Sequence, residues 1–312
     1  KMSLGIDLFL FLVFPGFVFS ALLGLLASFL DRKITARVQY RQGPGLAQPF
    51  WDLVKLFKKE SIIPKEGARG VFIFAPLLGL SGAIFCASLI GVAMFFPGQS
   101  FIGDVIVLIY ALMLPSLGII LGGLASGNPI AGVGVAREMK LLLGYEFGLL
   151  ISLAVVLIQT NGELGLSQII GFQSEHRMVA LSFSGALGLL IGILATQAKL
   201  GAVPFDIGEA ETELAGGVLI EYSGVLLGIY RLTRVLMLFV MPMVLVVLFL
   251  GGVEPGAGSI FWGLVKYLAL VIVFILARNV NPRLRIDQAL RFFWFGLGGT
   301  GILAIILALL GL

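Results

Sequence analysis

Residues 204–224 read PFDIGEAETELAGGVLIEYSG and place Asp206, Glu209, Glu211, Glu213 and Glu221 between two long apolar stretches, 178–200 and 217–250. Apolar runs of that length cross a bilayer as helices, so the acidic stretch is a loop held at the membrane edge. Carboxylates crowded there repel one another and lose hydration, which favours their protonated forms and is expected to raise their pKa values towards neutrality. Groups of that kind can carry protons.

The rest of the chain agrees with a membrane setting. Of its 312 residues, 59% are hydrophobic and 12% charged, and the mean hydropathy is +1.09; a water-soluble domain does not carry such a composition. The first apolar stretch, 8–30, is long enough to be a retained helix and lacks the small-residue cleavage site of a signal peptide. Further apolar windows at 71–96, 103–126, 134–160, 178–200, 217–250, 259–278 and 290–311 bring the expected total to about eight transmembrane helices. The expected fold is all-α, a single polytopic transmembrane domain over 1–312.

Arg and Lys concentrate in the connections 31–70, 127–140, 199–216 and 278–291. By the positive-inside rule these face the cytoplasm, which puts both termini on the extracytoplasmic side of the cell membrane. The net charge of +4 reflects this asymmetry and gives no reason to expect nucleic acid as a partner. Within the first loop, Phe50, Leu53, Val54 and Phe57 recur at helical spacing opposite Asp52, Lys55, Lys58 and Lys59, and Pro49 suits a helix start. The pattern predicts an amphipathic surface helix, serving as a lipid anchor or as a docking floor for a soluble partner.

The sixth span is too long for a perpendicular crossing, since thirty-four residues make about 50 Å against a hydrocarbon core of about 30 Å. It must tilt, bend or protrude, with Gly224, Gly228 and Pro242 as places to bend and Glu221 near the cytoplasmic rim.

Ionisable residues inside spans are costly and therefore candidates for function. Glu138 and Glu146 lie eight apart on about one helical face, close to Arg137 and Lys140. Arg231 and Arg234 share a face of the sixth helix, and Lys266 sits inside the seventh. Each base has a plainer reading as the neutralising partner of a buried carboxylate such as Glu146 or Glu221; together with the acids they read as a hydrated polar axis. Asp206, Glu209 and Glu213 would share one face if the acidic loop were helical. The chain has one Cys, Cys86, and one His, His176, too few for an iron–sulfur cluster or a convincing metal site, so any redox cofactor belongs to another chain. Cys86, in an apolar run, is expected to pack.

Several motifs together resemble the NuoH/ND1 family, the membrane subunit of respiratory complex I that touches the quinone site. PFDIGEAETELAGGVLIEYSG resembles its PFD-x-x-EAE-x-E…EYS signature. DRKITARVQYRQGP at 31–44, LAQPFWDLVKLFKKE at 46–60, the YE at 145–146 and PRLRIDQALRFFW at 282–294 resemble further family motifs in the same order. The departures point to one branch: Gly43-Pro44-Gly45 runs straight into Leu46 without the usual insertion, Lys199 stands where complex I chains commonly carry Glu, and Gly208 replaces a Pro. AREMKLLLGYE at 136–146 looks like the membrane-bound energy-converting hydrogenases and their sulfur-reducing relatives.

The resemblance implies a membrane anchor for a peripheral arm whose subunits hold iron–sulfur clusters and, in the hydrogenase case, a nickel–iron centre, with no cofactor in this chain. It implies antiporter-like membrane subunits as neighbours beside lipid, and a coupling role for Glu138, Glu146, Asp206, Glu209, Glu211, Glu213 and Glu221. Arg137, Lys140, Lys199, Arg231, Arg234 and Lys266 would be their charge partners, and Arg32, Lys33, Arg37, Arg41, Arg283 and Arg285 would dock the arm. A quinone-site subunit and an independent ion transporter are the alternative readings.

Overall fold

The computed structural model describes residues 4–312, with the side chains of Leu4, Ile6, Asp7, Gln99, Glu211 and Thr212 outside that description. The described residues form helices joined by loops, with no strand among them. In chain order the helices are α1 (Leu4–Leu12), α2 (Phe17–Val38), α3 (Gln48–Lys58), α4 (Arg69–Phe95), α5 (Asp104–Ala125), α6 (Pro129–Gln159), α7 (Leu166–Glu175), α8 (Phe183–Lys199), α9 (Glu211–Leu214), α10 (Gly224–Phe249), α11 (Ala257–Val280), α12 (Ile286–Arg291) and α13 (Gly298–Leu309); a π-helical stretch, Phe292–Leu297, joins the last two. Among the described residues seven spans are long and apolar enough to cross a membrane: Leu8–Val38, α4, α5, α6, α10, α11 and Ile286–Leu309. The eighth expected span is α8, apolar but 17 residues long.

Helix α10 is the central post, with 78% of its most apolar window buried, against 28% for the first span and 33% for each of the last two. Lipid tails are as apolar as leucine, so packing between spans depends on close approach at small residues. Gly118 of α5 lies so close to α4 that an added Cβ would meet the Ala75 carbonyl oxygen at 2.7 Å. Cys86 packs in the core formed by α4, α5 and α10.

Proline inside a span frees a carbonyl that water cannot reach, and another group has to satisfy it. Pro76 leaves the Phe72 carbonyl without an in-helix donor, and the Tyr222 hydroxyl donates to it at 2.9 Å. Pro242 does the same to the Leu238 carbonyl, which accepts a longer bond, 3.5 Å, from Tyr267.

The sixth span is shorter than the hydropathy implied. Gly216, Gly217 and Gly224 all take positive φ, so residues 217–223 leave the helix and α10 starts at Gly224. Glu221 therefore lies in the connection, not on a protruding helix end. Helix α3 forms where its amphipathic pattern placed it, with Pro49 and Leu53 buried. Its faces differ from the simple two-sided expectation: Phe50, Trp51 and Phe57 remain exposed, and the bundle takes Pro49 and Leu53 instead.

Two serines lock this first loop to the start of α10. Ile62 N–H donates to Ser223 Oγ at 3.0 Å, and Val225 N–H donates to Ser61 Oγ at 2.9 Å. The amphipathic helix and the acidic segment are thereby one structural unit.

Candidate functional site

The acidic loop follows the end of α8 and is held against the C-terminal helices by three successive residues. The Pro204 carbonyl accepts a hydrogen bond from Leu284 N–H at 3.0 Å. Phe205, buried, packs its ring against Phe292 and Phe293, and Asp206 accepts from Arg283 at 2.8 Å. From here the chain turns irregularly and is helical over Glu211–Leu214 alone, so Asp206, Glu209 and Glu213 do not share a helical face.

Each of these acids meets a cation from a different element. Asp206 takes Arg283 from the α11–α12 connection. Glu209 takes Arg234 of α10, and Glu213 takes Arg137 of α6 at 2.5 Å on the exposed rim. Glu221 accepts instead from the Asn128 side chain at 2.5 Å, which also caps α6 through Ile130 N–H. Glu211 has its side chain outside the described residues.

These partners change the expected electrostatics. Burial opposes the charged form of Glu209, yet Arg234, through charge and hydrogen bond, and Arg231, through charge, hold its pKa below the ordinary glutamate value. The expected upward shift does not occur at this residue.

Behind the loop lies a buried polar group. Lys199, at the end of α8, is hydrogen-bonded to Glu146 of α6, with the lysine side chain fully buried. Its ammonium lies 5.2 Å from the centre of the Tyr145 ring, an arrangement that adds a cation–π attraction. Tyr145 donates to Ser116 of α5 at 2.9 Å. Glu138 lies within electrostatic reach of Glu209, Arg234 and Asp206 and beside Tyr145. The backbone at Gly208 presses on it, since a Cβ there would stand 2.7 Å from Glu138 Oε2.

Two cavities meet at the loop. The smaller, about 60 Å³, is lined by Ser116, Glu138, Lys199 and Tyr230 and has room for a few waters. The larger, about 670 Å³, lies between α2, α3, α10 and α11, with Leu53, Val235 and Phe274 on its apolar walls and Asp31, Arg32 and Arg278 among its charged residues. Asp206, Glu209, Arg231 and Arg234 line both, so the ion-paired loop forms the partition between them.

Other expected site residues lie elsewhere. Lys140 is exposed on α6, and Lys266 donates to the Leu250 carbonyl at 2.5 Å, at the opposite end of α10 from the acidic loop. Arg32 pairs with Asp52 at 2.5 Å, whereas Arg37 and Arg41 are exposed. Sequence reasoning missed Ser116, Asn128 and Tyr230. Of these, Asn128 carried a local signal, as a capping residue directly before Pro129. Among the described residues no group of three or more His, Cys, Asp or Glu could hold a metal ion.

The sequence model of the NADH dehydrogenase family matches residues 10–309. The chain belongs to this family. It is 35% identical to an NADH-quinone oxidoreductase membrane chain of Thermomicrobium roseum, over 89% of each chain. It is also 35% identical to the like-named chain of Syntrophotalea carbinolica, over 96% of each. Among solved structures, a chain of the membrane-bound sulfane sulfur reductase, an archaeal respiratory membrane complex, superposes with a TM-score of 0.84 at 26% identity, covering 98% of this chain and 100% of that one. The NuoH-type chain is thus a multi-pass membrane subunit of the complex I-like kind.

Proposed function

We propose that this NuoH-type chain anchors a peripheral redox arm and couples it to proton or sodium translocation, in a complex of the membrane-bound hydrogenase or sulfur reductase type. The observation that carries the reading is the partition: an acidic loop, tied by Arg283, Arg234 and Arg137, separates a cavity on the α2–α3 side from the buried Glu138, Lys199 and Glu146. Iron–sulfur clusters, and a nickel–iron centre in the hydrogenase case, would reside on partner subunits and supply the electron transfer. This chain's part is electrostatic. Displacing the loop separates Asp206 from Arg283 and Glu209 from Arg234, which changes the charge facing Glu138 across the small cavity. A proton released or taken at the Glu138 carboxyl then biases Glu146 through Lys199, which lies within electrostatic reach of both.

The arm would attach on the cytoplasmic face at Arg32, Lys33, Arg37, Arg41, Arg283 and Arg285, and antiporter-like subunits would sit beside the bundle in the membrane. With the charged loops inside, both termini face outward.

Capture of the complex through a tag on this chain, followed by measurement of nickel and iron, tests the assignment. Stoichiometric nickel with abundant iron favours hydrogen chemistry; iron without nickel favours a sulfur-reducing relative. Recovery of the chain alone, with neither metal, refutes the coupling role and revives an independent transporter. The apolar walls of the larger cavity favour a second reading, a quinone site, and strong inhibition of the captured complex by a quinone-site inhibitor would establish it over the first.

A further inference from the structure

Helix α2 ends in a turn normally built around glycine. The N–H of Tyr40 bonds to the Arg37 carbonyl at 3.1 Å, and that of Arg41 to the Ala36 carbonyl at 2.8 Å. This pair of bonds defines a Schellman cap, whose first residue past the helix is left-handed and usually Gly. Here that residue is Tyr40, at φ 54°, a strained conformation for a side chain of this size. Its ring is fully exposed, so no contact within the chain compensates the strain.

The ring also stands in water. Asp31 pairs with Arg278 in the last turn of α11 at 2.6 Å and marks where α2 and α11 leave the hydrocarbon. Nine residues of helix carry Tyr40 about 13 Å further along α2, beyond a headgroup layer of about 6 Å for a helix near the membrane normal. Past Tyr40 the chain doubles back: Gly43 lies against α2 so closely that a Cβ would come 2.9 Å from the Lys33 side chain. Tyr40 is therefore the tip of a hairpin, flanked by exposed Arg37, Val38 and Arg41.

We infer that Tyr40 is the central anchor of the interface with the soluble arm, entering an apolar cleft on that partner whose rim carries carboxylates for Arg37 and Arg41. Tyr and Arg are the residues most enriched at interface hot spots, and local strain held at a fully exposed aromatic is the pattern of a site kept for binding. This rests on the docking reading above and adds the contact residue and the chemistry of the partner surface.

The test uses the intact complex captured through a tag on this chain and washed at increasing salt, with the retained soluble subunits quantified by mass spectrometry. Tyr40→Gly should retain at least tenfold less arm at intermediate salt while the membrane chain melts at a higher temperature, because glycine relaxes the cap. Tyr40→Phe should retain the arm. Native-level retention by Tyr40→Gly at every salt step, or a lower melting temperature, would overturn the inference. In that event the pair Arg37→Glu with Arg41→Glu separates the two claims: release of the arm leaves the docking reading standing without Tyr40, and retention removes that reading too.

Discussion

Lys199 and Glu146 form an ion pair inside the bundle, donated by α8 and accepted on α6, with no part of the lysine side chain exposed. Removing one member leaves the other charge buried without compensation, which typically costs about 3–5 kcal/mol. Lys199→Met and Glu146→Gln should each lower the thermal stability of the solubilised complex by that order. The double variant should lose much less than the sum. Additive losses would mean that the pair is not the unit that stabilises these two helices. Reconstituted Glu146→Gln should also pump fewer ions per electron, and normal pumping would return the pair to a structural role.

Tyr222 belongs to the EYS motif, yet its hydroxyl serves the carbonyl that Pro76 frees in another span. Burial raises the phenol to about 12, so it remains a donor at any physiological pH. Tyr222→Phe should leave that carbonyl unsatisfied at a cost of about 1–3 kcal/mol. In a Pro76→Ala background residue 76 regains its N–H, and the same change at Tyr222 should have a smaller effect. Melting curves of the four proteins give the comparison; a Tyr222→Phe effect undiminished by Pro76→Ala would disprove the compensation.

The spans and the amphipathic helix were legible because hydropathy and periodicity are local properties. The length of α10 was misjudged for a local reason that the sequence does contain: Gly216-Gly217 and Ser223-Gly224 interrupt an apolar run, and hydropathy averages over them. The arrangement of the acids had no such signal. Asp206, Glu209 and Glu213 have helical spacing, but Arg283, Arg234 and Arg137 approach from three separate elements and each fixes one acid in place. Asn128 and Glu221 are 93 positions apart in sequence, and no local pattern links them.

Glu209 supplies a pH dependence with a defined sign. Its folded pKa lies below the ordinary 4.5, burial opposing the charge and Arg234 outweighing that opposition. A depressed folded pKa contributes stability that is present above the unfolded value and lost as pH falls through the folded one. The native protein should therefore exceed Glu209→Gln in melting temperature by a constant margin above about pH 5. The margin should shrink as pH drops below 4.5. A margin that grows on acidification would mean that Glu209 is held protonated, contrary to its pairing with Arg234.

Gly224 is where the first loop and α10 touch most closely. Its φ is +56°, and a Cβ would collide with the carbonyl oxygens of Lys59 and Glu60. Alanine there combines left-handed strain of about 1–2 kcal/mol with an overlap against backbone that cannot swing aside. The neighbouring bonds, Ile62 N–H to Ser223 and Val225 N–H to Ser61, hold the same junction at about 1 kcal/mol each. Gly224→Ala should therefore detach residues 59–62 from α10 more completely than Ser61→Ala or Ser223→Ala does. Because proteolysis tracks the open population, a loss of about 1.4 kcal/mol corresponds to about tenfold faster cleavage. Trypsin acting after Lys58, Lys59 and Lys65 reads this directly, and it should cut Gly224→Ala fastest, the serine variants at intermediate rates and the native chain slowest. Equal rates in all four would show that the loop is held by α3 packing alone, with the serine junction contributing nothing to its position.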